Sequence, residues 1–224
     1  MNIGIIGCGP MGLAMADLWA HHGHQVCLSY SRHPAKLAAL ARVIGPNARV
    51  GTPMEAAQFG QVVALAVPWS LTEAILAQVR PFLAGKPLLS CVVPWNAGRS
   101  GLVVGTSTSA AEQIAALIPE AHVVEVLPVL ADGLAVPTGH FGSDSPTLLY
   151  CGDHIGAKMK VVELWEGVDV DLIDAGPLWS ARFLEPATAL LWHLGVGLGT
   201  GTDIALRLLR RIPASAESYK DRFR

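Results

Sequence analysis

Six residues near the start of the chain, Gly7-Cys8-Gly9-Pro10-Met11-Gly12, spell GxGxxG, and their surroundings constrain the fold more than any other stretch. An apolar run, residues 2–6, leads into the first glycine as a buried parallel strand would. After it, Leu13, Ala14, Leu18 and Trp19 recur at helical spacing through residues 11–21, and Gly23 ends that helix. In a strand–turn–helix unit each glycine has a task. Gly7 permits the sharp exit from the strand, Gly9 lacks the Cβ that would hold a pyrophosphate off the backbone, and Gly12 lets the helix lie close to the sheet. Amide groups at the helix start then face the phosphates, helped by the helix dipole. Gly7, Gly9, Pro10, Met11 and Gly12 are therefore expected to hold the phosphates of a dinucleotide. A second glycine cluster, residues 195–201, offers similar spacings but follows no buried strand, and it reads as a break between helices.

The pattern repeats along the chain. Residues 25–29, 62–67 and 88–93 are continuous apolar strands, the last two closed by Pro68 and Pro94, with helices expected at 34–43 and 71–82. Ser109 and Glu112 fit a capping box opening a helix to residue 117. Further strands are expected at 123–127, 147–151 and 170–173, with a helix at 155–165, and the pattern turns helical from Ser180. Strands apolar on both faces, alternating with helices, imply a Rossmann-type α/β fold: a doubly wound, mainly parallel sheet with a short helical C-terminal extension from about residue 180. No repeat or linker divides residues 1–224, so one domain is expected. Hydrophobic types make up 51% of the chain, ample for the core this requires.

Which dinucleotide is decided at the end of the second strand. A carboxylate about 20 residues past the glycines binds the ribose hydroxyls in NAD-binding proteins, and would repel a 2′-phosphate. Here the chain reads Ser29-Tyr30-Ser31-Arg32, and Lys36 follows one helical turn later. A hydroxyl, a planar guanidinium and an ammonium suit the 2′-phosphate of NADP(H). Ser31, Arg32 and Lys36 are its expected ligands.

In open α/β sheets the ligand lies across the carboxyl ends of the strands. Pro68, Trp69, Pro94 and Leu127 should form an apolar wall for flat rings there. Trp95 reads as a core aromatic. Hydride transfer needs held geometry and excluded water rather than a triad, and the sequence contains no convincing nucleophile–base order. His21, His22 and His24 lack metal-ligand spacing and read as helix-end groups, so no metal site is expected. His193 reads as a core residue, His140 as a loop histidine able to donate a proton, Asp174 as a turn former, and Arg182 with Glu185 as a helical ion pair.

These motifs, with Val67-Pro68-Trp69, Cys151-Gly152-Asp153 and Asp174-Ala175-Gly176-Pro177-Leu178 in that order, resemble the coenzyme F420-dependent NADP oxidoreductases, from Met1 to about Leu209. The resemblance implies hydride exchange between NADP(H) and a deazaflavin, coenzyme F420 or a flavin-like ring, by a homo-oligomer, with Val67, Pro68, Val93 and Pro94 bordering the nicotinamide. More distantly the amino-terminal fold is similar to pyrroline-carboxylate reductases. The chain departs from the family pattern after the sixth strand, where Val126-Leu127-Pro128-Val129-Leu130 contains no histidine. Reduction of a cyclic imine, and a redox sensor that binds NADP(H) without chemistry, stay open as alternatives.

Charge excludes other partners. With a net charge of −2 and no basic block, nucleic acid is not an expected ligand. The apolar stretch 183–209 carries Glu185, His193, Asp203 and Arg207, which rules it out as a lipid-facing span and leaves a homodimer contact as its expected use. Four scattered cysteines without CxxC spacing read as reduced thiols, and the absence of a basic leader fits a cytoplasmic protein acting on a small molecule.

Overall fold

Eight strands hydrogen-bond into one sheet of order β3-β2-β1-β4-β5-β6-β7-β8. They are β1 (Asn2–Ile6), β2 (Gln25–Ser29), β3 (Ala48–Val50), β4 (Val62–Leu65), β5 (Pro87–Ser90), β6 (His122–Leu127), β7 (Thr147–Gly152) and β8 (Asp171–Asp174). The helices are α1 (Pro10–His21), α2 (Pro34–Ile44), α3 (Pro53–Phe59), α4 (Trp69–Val79), α5 (Ala110–Leu117), α6 (Ile155–Glu163) and α7 (Ala181–Trp192). The structure is a computed structural model that describes residues 1–30, 34–127, 130, 141 and 144–209, with 34–36 through the backbone alone.

Period-two alternation distributes each strand between two cores. On β4, Val62 and Ala64 pack with Met15, Trp19, Val161 and Trp165 of the α1 and α6 side. Val63 and Leu65 face Ile75, Leu76, Ile114 and Leu184 of the α4, α5 and α7 side. Burying strands on both faces is what a parallel sheet flanked by helices requires. The expected Rossmann architecture is present. β1 to β6 run parallel, and β7 turns antiparallel to β6 with β8 parallel to β7.

Several local expectations shift. β3 and α3 were not foreseen, since one has three residues and the other seven, too few to show a period. Yet α3 carries the full signature: Pro53 at its first turn, and a reciprocal box between Thr52 and Glu55. It lies directly on β1, because a Cβ at Gly4 would stand 2.1 Å from the Ala56 carbonyl oxygen. β4 and β5 end at Leu65 and Ser90, so Val67 and Val93 lie past the strands. α4 stops at Val79, and a 3-10 turn carrying Pro81 takes its place. At the expected box of α5, the Glu112 N–H donates to Ser109 Oγ, but the Glu112 carboxylate turns to the Ser109 hydroxyl and to Arg182.

That last contact corrects the Arg182–Glu185 pair. Arg182 forms two bonds of 2.6 and 2.8 Å to Glu112 across the α5–α7 interface. Glu185 points inward, is fully buried, and accepts the Ala111 N–H at 3.1 Å at the start of α5. It also faces Glu125 of β6, which is equally buried. Among the described residues neither Glu125 oxygen nor Glu185 Oε2 meets a donor, and burying two facing carboxyl groups together favours a proton shared between them. Burial, then the neighbouring carboxyl, holds Glu125 well above the usual carboxylate range, and burial raises Glu185 to about 7. His193, expected in the core, is exposed where α7 gives way to a π turn, His193–Gly197. His21 and His22 meet the terminal carbonyls of α1, as expected. Asp174 accepts the Gly176 N–H and pairs with Lys158. The four cysteines are free.

Candidate functional site: a dinucleotide crevice

The order β3-β2-β1-β4-β5-β6 reverses direction between β1 and β4, so the loops leaving those strands diverge and open a crevice at their carboxyl ends. Two helices begin there. α1 starts after Gly9 and α4 after Pro68; neither has a side-chain cap, and neither has an acidic residue in its first turn. By contrast Thr52, Ser109 and His154 cap α3, α5 and α6 with their side chains, while α7, also without a side-chain cap, continues directly from a 3-10 turn. Helix starts leave several amide donors without intrahelical acceptors, and these two leave them facing the crevice.

The glycine turn has the shape its sequence implies. Gly7 adopts φ +104°, and a Cβ there would lie 2.4 Å from the Ala66 carbonyl oxygen of the neighbouring strand exit. A Cβ at Gly12 would fall 1.8 Å from the Gly7 oxygen, so no larger residue closes this turn. Gly9 is different: nothing lies within 4 Å of a Cβ built there. Its lack of a side chain serves no internal packing. It leaves space in front of the α1 amides, the cradle that a pyrophosphate fills. Gly9 and Pro10 are exposed, and Met11 half-buried.

The turn is locked to the end of β2. Gly7 N–H donates to the Ser29 carbonyl and Cys8 N–H to the Tyr30 carbonyl, both at 3.1 Å. Cys8 Sγ donates to Ser29 O, and burial pushes its thiol up to about 12, so Cys8 is a neutral packing residue. Tyr30 holds φ +57°, a left-handed conformation that a bulky residue adopts only when its surroundings demand it. It reorients the chain just before the residues read as 2′-phosphate ligands. No sequence signal marks it, because turns of this kind normally announce themselves with Gly, Asn or Asp. Ser31 and Arg32 lie outside the described residues, as do His140 and the last residues of the chain; Lys36 falls in the first turn of α2. β2 itself ends in Ser29, whose hydroxyl is spent on the Ile5 carbonyl, and Glu55 of α3 spends its carboxylate on the Thr52 N–H.

On the other side of the crevice, Val67, Val93, Pro94 and Leu127 are buried, Trp69 is half-buried and Pro68 is exposed. Trp69 opens α4 rather than ending a strand, and Pro68 supplies the extended residue ahead of it. Trp95 is half-buried against Trp192, with ring centroids 6.0 Å apart. Among the described residues no group of three or more His, Cys, Asp or Glu could hold a metal. A cavity of about 280 Å³ beside the stacked His122 and His154 rings sits at the amino end of β6, away from the crevice.

A Rossmann sheet, a glycine turn with an open phosphate cradle and an apolar far wall define a nucleotide-linked oxidoreductase. Residues 2–94 match the family described as NADP oxidoreductase, coenzyme F420-dependent. The F420-dependent NADP reductase of Methanothermobacter marburgensis is 30% identical over 212 residues, covering 88% of this chain and 93% of that protein. The chain belongs to this family and is an NADP-linked oxidoreductase. A crystal structure from Arthrobacter sp. FB24, provisionally described as an F420-dependent NADP reductase, superposes with a TM-score of 0.82 at 26% identity, over 94% of this chain and all of that one. A pyrroline carboxylate reductase from Plasmodium falciparum shares only the fold, with a TM-score of 0.54 at 16% identity over 78% of this chain and 57% of that one. Among the described residues no helix is long and apolar enough to cross a membrane.

Proposed function

We propose that this protein transfers a hydride between NADP(H) and the deazaflavin ring of coenzyme F420. The observation that carries the reading is the pair of uncapped helix starts, α1 and α4, flanking an open Gly9 at the switch point of the sheet. When bound, NADPH supplies a hydride from its nicotinamide ring, and the acceptor ring takes that hydride and a proton from solvent.

The residues of the chain bind and orient. The amides from Gly9 to Gly12 hold the pyrophosphate, with Pro10 fixing the first helical φ. Ser31, Arg32 and Lys36 hold the 2′-phosphate. Val67, Pro68, Val93 and Pro94 border the nicotinamide, while Trp69 and Leu127 complete an apolar wall that keeps water from the reacting carbons. Excluding water and fixing two rings near contact distance is the whole contribution such a reaction asks of a protein. The relatives named for F420-dependent NADP reduction, and the extent of the match to one of them, favour a deazaflavin over a flavin.

The test is NADPH oxidation by the purified protein with coenzyme F420, FMN, FAD, a quinone and a cyclic imine offered in parallel. Turnover confined to the deazaflavin is expected. Turnover of the imine instead would replace this reading, and tight NADPH binding without any turnover would leave a binding module.

We also infer a homodimer. Phe183, Leu190, Val196, Leu198 and Leu208 are exposed along α7 and the segment after it, more apolar surface in one region than monomers usually leave uncovered. Light scattering should give twice the 23.6 kDa chain mass, and a monomer refutes the inference.

A further inference from the structure

After β5 the chain makes a long excursion, residues 91–109, over the carboxyl edge of the sheet before α5 begins. Its first part is a closed, internally braced loop. Trp95 bridges to Leu102, Asn96 N–H donates to the Gly101 carbonyl at 2.9 Å, and Val103 N–H returns to the Pro94 carbonyl at 2.8 Å. Asn96 braces the tip from inside: its Oδ1 accepts the Ser100 N–H at 3.0 Å and its Nδ2 donates to the Ser100 hydroxyl at 2.9 Å.

Arg99 sits at that tip with φ +52°, a left-handed backbone that arginine rarely adopts. Its guanidinium carbon lies 4.8 Å from the centroid of the Trp192 ring. Arg80, Arg182 and Arg207 each pair with a carboxylate. Among the described residues Arg99 has no carboxylate partner, and it is exposed. Among the described residues its charge is thus held near an indole face and left without a compensating carboxylate. A guanidinium held over an indole ring keeps the planar fork of N–H donors that can receive an oxyanion in a bidentate fashion.

Its place in the fold gives this charge a purpose. α7 rises beside β6 from Ala181, near the amino end of that strand, and reaches the carboxyl end of the sheet at Trp192. Arg99 therefore stands on the β5–β6 side of the crevice, just beyond Val93 and Pro94. The adenosine half of a dinucleotide lies toward β2, on the opposite side. A ring stacked at the nicotinamide position would have the Arg99 side of the crevice as its way out for any substituent.

We infer that Arg99, clamped on Trp192, is a specificity-determining residue for the hydride acceptor, binding a phosphate or carboxylate on the side chain that trails from the acceptor ring. The inference rests on the hydride-transfer reading above. It adds that the site selects acceptors by charge as well as by ring shape.

Two acceptors with the same deazaflavin ring separate the two ideas: coenzyme F420, with its phosphodiester and glutamyl side chain, and the phosphate-free ring alcohol. In the wild-type protein the charged acceptor should have the lower KM, and added salt should narrow the difference. Arg99→Met should raise KM for the charged acceptor by roughly 10- to 100-fold, the range of a charge-assisted contact, with kcat little changed. The neutral acceptor's kcat/KM and the KM for NADPH should move less than about two-fold, and Arg99→Lys should restore part of the loss. If both rings turn over and Arg99→Met leaves their KM ratio unaltered, Arg99 has no such role while the hydride-transfer reading survives. A wild-type protein that reduces neither ring refutes both.

Discussion

Replacing Glu125 by glutamine should make this protein more stable at neutral pH, although it alters a fully buried residue of a central strand. The side chain has no exposure, and among the described residues its two oxygens find no donor; burial beside Glu185 therefore favours a protonated Glu125 in the folded state. Unfolded, the same group ionises near 4.5. Burial, then the charges of Glu185 and Glu112, raises its folded value, so the folded state retains a proton that the unfolded chain releases. The stability this residue provides is complete below about pH 4.5 and declines as pH rises toward the folded value, the reverse of the usual surface carboxylate. At about 1.4 kcal/mol per pH unit, a proton retained up to pH 7 costs at most roughly 3 kcal/mol. Glutamine keeps the shape and can donate an N–H to Glu185 without that cost. For a chain of this size, each kcal/mol moves Tm by about 2–4 °C. Glu125→Gln should thus melt higher at pH 7, by up to about 10 °C, and within about 2 °C of the wild type at pH 4.5. The relevant quantity is the Tm difference between the two proteins across pH 4.5 to 8, by calorimetry or near-UV circular dichroism. Taking the difference cancels the opposing contributions of His24 and His122, whose values burial lowers, and of Glu55, Glu112 and Glu120, whose hydrogen bonds lower theirs. A Tm difference that does not change with pH, or a glutamine variant less stable at pH 7, would overturn the shared-proton account. Glu125→Leu supplies the control: it removes the facing carboxyl group, leaves Glu185 Oε2 without a polar neighbour there, and should destabilise at every pH.

The glycine turn offers a contrast between two similar substitutions. Gly9→Ala meets open space, so Tm should stay within about 2 °C, while Kd for NADPH measured by fluorescence titration rises at least about 10-fold. Gly12→Ala drives a Cβ to 1.8 Å from the Gly7 oxygen and should lower Tm by more than about 5 °C, if the protein folds. Equal effects in both assays would remove the distinction between cradle and packing glycine. Arg32→Ala should weaken NADPH by roughly 10- to 100-fold and leave NADH within about two-fold, as expected for a lost charge-assisted contact to the 2′-phosphate. Should NADH bind the wild type as tightly as NADPH, the assignment of Ser31, Arg32 and Lys36 fails.

What the sequence determined by itself was everything carried by short-range pattern. The apolar runs that became β1, β2, β4, β5 and β6, the helical spacing of α1, and the glycines of the turn are local, because hydrophobic period and left-handed backbone are properties of a few adjacent residues. The missing carboxylate after β2 was legible for the same reason. Elements too short for a period, β3 and α3, were not, nor was the antiparallel turn of β7 against β6. Tertiary structure alone decided which side chains meet. Arg182 and Glu185 sit three apart at ideal pairing distance along α7, yet one reaches Glu112 and the other turns to Glu125. Once α7 packs on α5 and β6, one side of the helix faces the interior, and the Ala111 amide in the first turn of α5 competes for a carboxylate there. Likewise Arg99 and Trp192 lie far apart in sequence, and only the rise of α7 beside β6 brings a ring beneath that cation. Contacts of this kind depend on where whole elements come to rest, and no window along the chain contains that information.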